Sequence, residues 1–287
     1  MSKIEWTEKT WNPLIGCSIE SAGCTNCYAI RDAYRKNFNK KVPQYAGLTV
    51  RTPGKPAVWT GIIRRNSNTA FYAPKKWREG KIIFVNSMSD LFHPEADKAL
   101  VEEIIGIMLT EERHIFQVLT KRPSYAATFL KERGISLPRH VWIGTSVENM
   151  KVTDRIDALR TIPAKVRFLS LEPMIGSLGI LNLIDIHWVI SGGESGPGAR
   201  FCDPEWIREV RDQCVGLAIP FFHKQNGSNP QNFATVLGGK PKGESKGGNL
   251  LDGMKWLQYP ATGHSLDRPS MPPLRLPATA TYPTPTV

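Results

Sequence analysis

The sequence predicts an α/β fold built on a parallel sheet. Three observations predict it. From Lys81 onward, short apolar runs alternate with helix-length amphipathic segments, the rhythm of successive βα units. The runs are nearly continuous in apolar residues, as expected of strands covered on both faces. Each run also ends in polar side chains, and right-handed crossovers gather such ends on one rim, where these folds place their chemistry. Periodicity leaves open whether the sheet is doubly wound or closes toward a barrel.

Six strands follow in order. The first is read over Lys81 to Asn86, ending in Ser87-Met88-Ser89-Asp90, with a helix near Ala96 to Leu109. The second spans His114 to Leu119 and ends in Thr120-Lys121-Arg122-Pro123, before a helix near Ser124 to Arg133. Val141 to Gly144 is the third, ending in Thr145-Ser146-Val147-Glu148, with a helix from about Lys151 to Arg160. The fourth, Val166 to Leu171, ends in Glu172-Pro173-Met174. Ile186 to Ile190 is the fifth, ending in Ser191-Gly192-Gly193-Glu194-Ser195-Gly196 ahead of a helix near Pro204 to Val215, and Ile219 to Lys224 is the sixth.

A chain of 287 residues with 41% hydrophobic and 22% charged residues can bury a full core. The simplest organisation is one α/β domain over 1–227, with a basic, aromatic insertion at about 34–80, and a Gly/Pro-rich extension over 228–287. Within the extension, Leu250 to Trp256 is expected to form a short ordered piece, and Met271 to Val287 to be disordered. No stretch approaches about 18 uninterrupted apolar residues and the first six residues are largely polar, which predicts a cytoplasmic protein without a membrane partner. The net charge of +11 predicts attraction to nucleic acid or nucleotides. In the insertion, Arg35, Lys36, Lys40, Lys41, Arg64, Arg65, Lys75, Lys76 and Arg78 sit among Tyr34, Phe38, Tyr45, Trp59, Phe71 and Tyr72, a mixture suited to phosphate neutralisation with base stacking. The competing reading is a basic protein with no nucleic-acid role.

The sharpest signal lies ahead of the first of these strands. Cys17, Cys24 and Cys27 fall in the pattern C-x6-C-x2-C, just before an amphipathic helix starting near Tyr28. Five cysteines in a chain this long, three of them clustered, do not read as a disulfide framework. Three thiolates in one loop suit a 4Fe-4S cluster with one iron left open, or a structural zinc completed by His93, His223, Cys202 or Cys214. Otherwise Cys202 and Cys214 read as ordinary buried thiols, and His114, His140 and His187 as packing or surface residues.

A three-cysteine loop followed by five or six βα units resembles the radical S-adenosylmethionine (radical SAM) superfamily. More narrowly, the segments Cys17 to Ala29, Asn86 to His93, Leu119 to Pro123, Ser170 to Pro173 and Ser191 to Gly196 resemble the phage Gp37/Gp68-like (DUF5131) family, over most of residues 1 to 260. The chain departs from the superfamily's usual C-x3-C-x2-C spacing, has Asn26 where an aromatic residue usually precedes the last cysteine, and has Ser89-Asp90 where Gly-Gly-Glu usually follows the second strand.

The resemblance implies a partial (βα)6 barrel of the TIM type and a radical SAM enzyme with Cys17, Cys24 and Cys27 on a 4Fe-4S cluster. It implies S-adenosylmethionine at the open iron, a 5′-deoxyadenosyl radical, and an electron donor such as a flavodoxin or ferredoxin. Charge and hydrogen-bond type then assign Asp90 or Ser89 to the cofactor's ammonium, Lys121 to its carboxylate, and Ser146 or Glu148 to its ribose, with Tyr28 and Thr145 beside them. The same Ser, Thr and Asp residues would equally serve as helix caps. Glu172, Glu194, His223 and Lys224 are the catalytic candidates on the substrate side, with Arg200. The glycines at 192, 193, 196 and 198 would bring backbone amides near an anion or simply make a tight turn. The expected activity is modification or repair of a nucleic-acid base or nucleotide, in the host cytoplasm if the chain is phage-encoded. A non-catalytic zinc protein that binds nucleic acid, and a radical enzyme acting on a peptide or small metabolite, are the alternatives.

Overall fold

A computed structural model describes residues 4–229 and 245–268. Seven parallel strands form one curled, open sheet, in the order of the chain. They are β1 (Lys9–Trp11), β2 (Ile82–Val85), β3 (Ile115–Thr120), β4 (Val141–Ser146), β5 (Arg167–Leu171), β6 (Trp188–Gly192) and β7 (Phe221–Gln225). Five helices of seven or more residues accompany them: α1 (Tyr28–Lys36), α2 (Lys98–Thr110), α3 (Pro123–Glu132), α4 (Asp154–Arg160) and α5 (Pro204–Gly216). The six expected strands are β2 to β7. The expectation of six is corrected to seven by β1, which pairs with β2 through Lys9, Thr10 and Trp11. The sheet is an open half-barrel with β1 and β7 as its edge strands.

Strand side chains alternate between two apolar layers, which is why the runs read as continuous. Ile83, Val85, Phe116, Val118, Ile143, Leu169, Val189 and Phe221 join the residues of α2, α3 and α5 in the larger cluster on the convex face. Ile82, Phe84, Ile115, Trp142, Phe168, Trp188, Ile190 and Phe222 fill the concave face with Trp6 and Tyr259. Trp188 is the centre of that filling: Trp6 and Trp142 meet it edge-on at 6.1 and 5.7 Å, and Tyr259 stacks on it at 5.2 Å.

The insertion makes one short antiparallel pair within itself, Thr49–Val50 with Val58–Trp59, and a second with the segment ahead of the cysteines, Arg64–Arg65 with Leu14–Ile15. In the extension, Leu250–Leu251 and Met254–Lys255 make a hairpin, turned by Asp252 and Gly253, both at positive φ. The chain then runs beside β7: the N–H of His223 donates to Trp256 O and the N–H of Gln258 to Phe221 O, covering that edge. The expectation for Met271 to Val287 lies outside the described residues. No helix among the described residues is long and apolar enough to cross a membrane.

Candidate functional site

A cleft of about 230 Å³ opens at the carboxyl ends of the strands. Cys17, Cys24, Cys27 and Tyr28 line one side, and Ser89, Asp90, Lys121, Ser146, Glu172, Glu194 and Lys224 line the strand-end side. Eleven of the fourteen site candidates therefore share one cavity. Thr145, Glu148 and His223 do not line it.

The cysteine loop is placed by backbone. Gly16 has φ of +96°, and a Cβ on it would lie 2.0 Å from Ile62 O, so only glycine fits. Its N–H donates to Met88 O, and Cys17 O accepts from the N–H of Gly61. Cys17 is thus held between the end of β2 and the insertion. Cys24 closes a 3-10 turn over Ala22–Cys24, and Cys27 is the N-cap of α1.

Side chains then pin the six residues between Cys17 and Cys24. Arg122 donates to Ser18 Oγ at 2.8 Å, pairs with Glu20 at 2.8 Å, and is itself held by Asp90 at 2.9 Å. His93 Nε2 reaches Ser18 Oγ at 2.8 Å, while its Nδ1 accepts from the N–H of Glu95, so the neutral ring carries its proton on Nε2. Glu148, fully buried, accepts from Ser21 Oγ and from the N–H of Gly23, with Arg155 at 3.1 Å and Lys121 at 3.6 Å on its other oxygen. Asn26, between Cys24 and Cys27, donates to Glu194 at 2.9 Å, and Arg200 forks onto the same carboxylate. Glu148 and Glu194 are loop anchors in this arrangement. Asp90 is likewise spent: its oxygens accept from Thr120 Oγ1, the N–H groups of Phe92 and Lys121, and Arg122.

What remains turned to the cleft is a smaller set. Lys224 pairs with Glu172 at 2.7 Å, and Trp6 Nε1 donates to Glu172 from below. Among the described residues Lys121 has one carboxylate partner, Glu148, at the longer distance of 3.6 Å. Ser89, Ser146 and Tyr28 supply hydroxyls, with Tyr28 OH donating to Ser87 O at 3.3 Å. Thr145 is buried behind the wall and donates to Thr120 O. His223 is fully buried between Ser191 Oγ and Asn226 Oδ1, both at 3.0 Å. Its ring is engaged by these two partners and is not part of the cleft lining.

All five cysteines are free thiols. Burial pushes Cys17 up to about 12, with the Asp90 charge adding to it against Arg122. Burial also raises Cys27, against the N–H groups of Ala29 and Ile30. Burial works to raise Glu148 and Glu194 too, but Lys121 with Ser21 for the first, and Arg200 with Asn26 for the second, hold both carboxyls below their usual range. Among the described residues no three His, Cys, Asp or Glu side chains are gathered as closely as a bound ion would hold them. The donor set nevertheless fits a thiophilic metal: three thiols outside any disulfide share a cavity wall, and a cation would displace their protons. His93, His223, Cys202 and Cys214 lie outside the cleft lining. Ser18, Ser21, Asn26 and Arg122 lie within segments that carry the family resemblance, but nothing in those segments marks them as anchors; the unusual loop length is the one hint that the loop needs its own.

A family model described as "Protein of unknown function (DUF5131)" matches residues 1–260. No curated protein and no solved structure matches the chain.

Proposed function

The chain belongs to the DUF5131 family, and from that premise we propose that it is a radical SAM enzyme that modifies or repairs a nucleic-acid base or nucleotide. Cys17, Cys24 and Cys27 would hold a 4Fe-4S cluster. The observation that carries the reading is the shared lining: three free thiols and two lysines face one cleft at the carboxyl ends of a curled parallel sheet. Loaded with cluster and S-adenosylmethionine, such a site gains hydrogen abstraction by a 5′-deoxyadenosyl radical.

The chain's own residues supply binding and shielding. Lys121 offers a cation to a carboxylate, and Ser89, Ser146 and Tyr28 offer hydroxyls at the wall. Glu172 and Lys224 orient the substrate, their pair steadied by Trp6 beneath. Phe84, Leu119 and Trp59 make the wall apolar where a reactive species must be kept from water. A closed zinc site is the weaker reading, because none of the proposed fourth ligands is among the residues that line the cleft, and one of them, His93, has its Nε2 engaged by Ser18 Oγ at 2.8 Å. A flavodoxin or ferredoxin is the proposed electron donor.

Anaerobic reconstitution with iron and sulfide, followed by reduction with S-adenosylmethionine, tests this. The expected result is 5′-deoxyadenosine, with iron lost from Cys17→Ala, Cys24→Ala and Cys27→Ala. Well-reconstituted protein that forms none, with metal content unchanged in all three variants, would overturn it.

A further inference from the structure

Residues 28–78 hold twelve Lys/Arg and one acid, Asp32, whereas the rest of the chain has 25 of each sign. The whole net charge of +11 therefore sits on this one segment. Asp32 is taken by Lys36 at 2.6 Å, and no other cation of the segment has a carboxylate partner among the described residues. Arg35, Lys40, Lys41, Arg51 and Lys55 are all exposed. They form one patch, because Arg51 lies 6.0 Å over the Tyr34 ring and so ties the Thr49–Trp59 hairpin to α1. In the middle of the patch Phe38 is 71% exposed, its ring edge-on to Tyr34 at 5.3 Å. A large exposed ring set among solvated cations is the combination that single-stranded nucleic-acid binders use, stacking for the bases and charge for the backbone.

The patch also leads to the cleft. Helix α1 begins at the cleft with Tyr28, itself 48% exposed, and ends in the patch with Arg35 and Lys36. Trp59, at the end of the hairpin, lines the cleft. Nine helical residues span about 13 Å, roughly the length of four nucleotides of one strand at about 3.4 Å each. We propose that α1 and the Thr49–Trp59 hairpin form a docking track for single-stranded nucleic acid, with Phe38 stacking on a base and one nucleotide delivered past Tyr28 into the cleft. A single strand is required because a walled cleft takes a base only out of its stack, and because an exposed ring stacks on unpaired bases. The inference rests on the reading of the cleft as a site that acts on nucleic acid.

Anisotropy titrations of the full chain with labelled single-stranded DNA and RNA, matched duplexes, and anionic phospholipid vesicles test it at several salt concentrations. One triple variant carries Lys40→Glu, Lys41→Glu and Lys55→Glu; a control triple with the same charge change carries Lys75→Glu, Lys76→Glu and Arg78→Glu. The first should weaken single-strand binding about tenfold or more and flatten the log–log salt dependence by about 2, near 0.7 for each phosphate that is no longer neutralised. The control should weaken it less than about threefold, and Phe38→Ala about tenfold with the salt slope kept. Unchanged melting temperatures separate weakened binding from a damaged fold. Equal losses in both triples, or duplexes or vesicles bound as tightly as single strands, overturn the proposal. If 5′-deoxyadenosine forms but binding ignores the patch, the track alone fails; if binding follows the patch but no 5′-deoxyadenosine forms, the radical chemistry alone fails.

Discussion

His223 and Gly16 illustrate opposite constraints on single positions. Asn226 turns its amide nitrogen to Gly247 O and Leu250 O, so its oxygen faces His223 Nε2, and Nδ1 must accept from Ser191. Burial holds the neutral ring and pulls its pKa from 6.5 down to about 4. Between those values the unfolded chain binds the extra proton, so His223 costs the fold stability as pH falls from 6.5 toward 4, up to about 3 kcal/mol. Urea unfolding across this range should show wild type losing stability faster than His223→Gln, which cannot gain a charge; parallel curves would refute the assignment. Gly16 is constrained by space and by φ. Gly16→Ala places a methyl against Ile62 O in a backbone region that L residues avoid, and should cost about 2–3 kcal/mol in urea unfolding. Because Cys17 follows directly, the same variant should take up less iron on reconstitution.

At the scale of elements, the cysteine loop behaves as a clamped strap. Its clamps come from the ends of β2, β3, β4 and β6 through Asp90, Arg122, Glu148 and Glu194. Glu148→Gln removes the charge that Arg155 and Lys121 face, leaving a buried guanidinium with Ser146 O but no carboxylate to balance it. The expected loss is about 3 kcal/mol, or a melting temperature lower by roughly 5 °C for a chain of this size; an unchanged melting curve would show that the clamp contributes nothing. These clamps also mark what sequence reading reaches. β2 to β7 are legible because burial on both faces writes an uninterrupted apolar run. β1 is not: three residues at a sheet edge, with only Trp11 buried, leave no such run. The rim is legible as a set of strand ends, but not which side chain of each faces inward. Ser146 lines the cleft and Thr145 does not, and Lys224 lines it while His223 does not, since neighbours on a strand point to opposite faces.

For the whole molecule, an open half-barrel must fill its concave face and cover its last edge without an eighth strand. The extension does both, running Trp256 to Gln258 along β7 and laying Tyr259 on Trp188. Aromatic packing continues from Trp188 to Trp6, and Trp6 Nε1 reaches Glu172 in the cleft wall at 3.3 Å. The far end of the chain is thereby coupled to the site through three rings. Tyr259 is 4% exposed, and its hydroxyl accepts from Arg268 at 3.1 Å. Tyr259→Phe keeps the ring and should change stability by less than about 1 kcal/mol. Tyr259→Ala opens a cavity beside Trp188 and should cost about 3–5 kcal/mol in urea unfolding. Tryptophan fluorescence of the folded Tyr259→Ala protein should also shift, because Trp188 loses its stacked partner and Trp6 its backing. If Tyr259→Ala unfolded at the wild-type urea midpoint with an unchanged spectrum, the extension would be an ornament on the barrel rather than part of its filling.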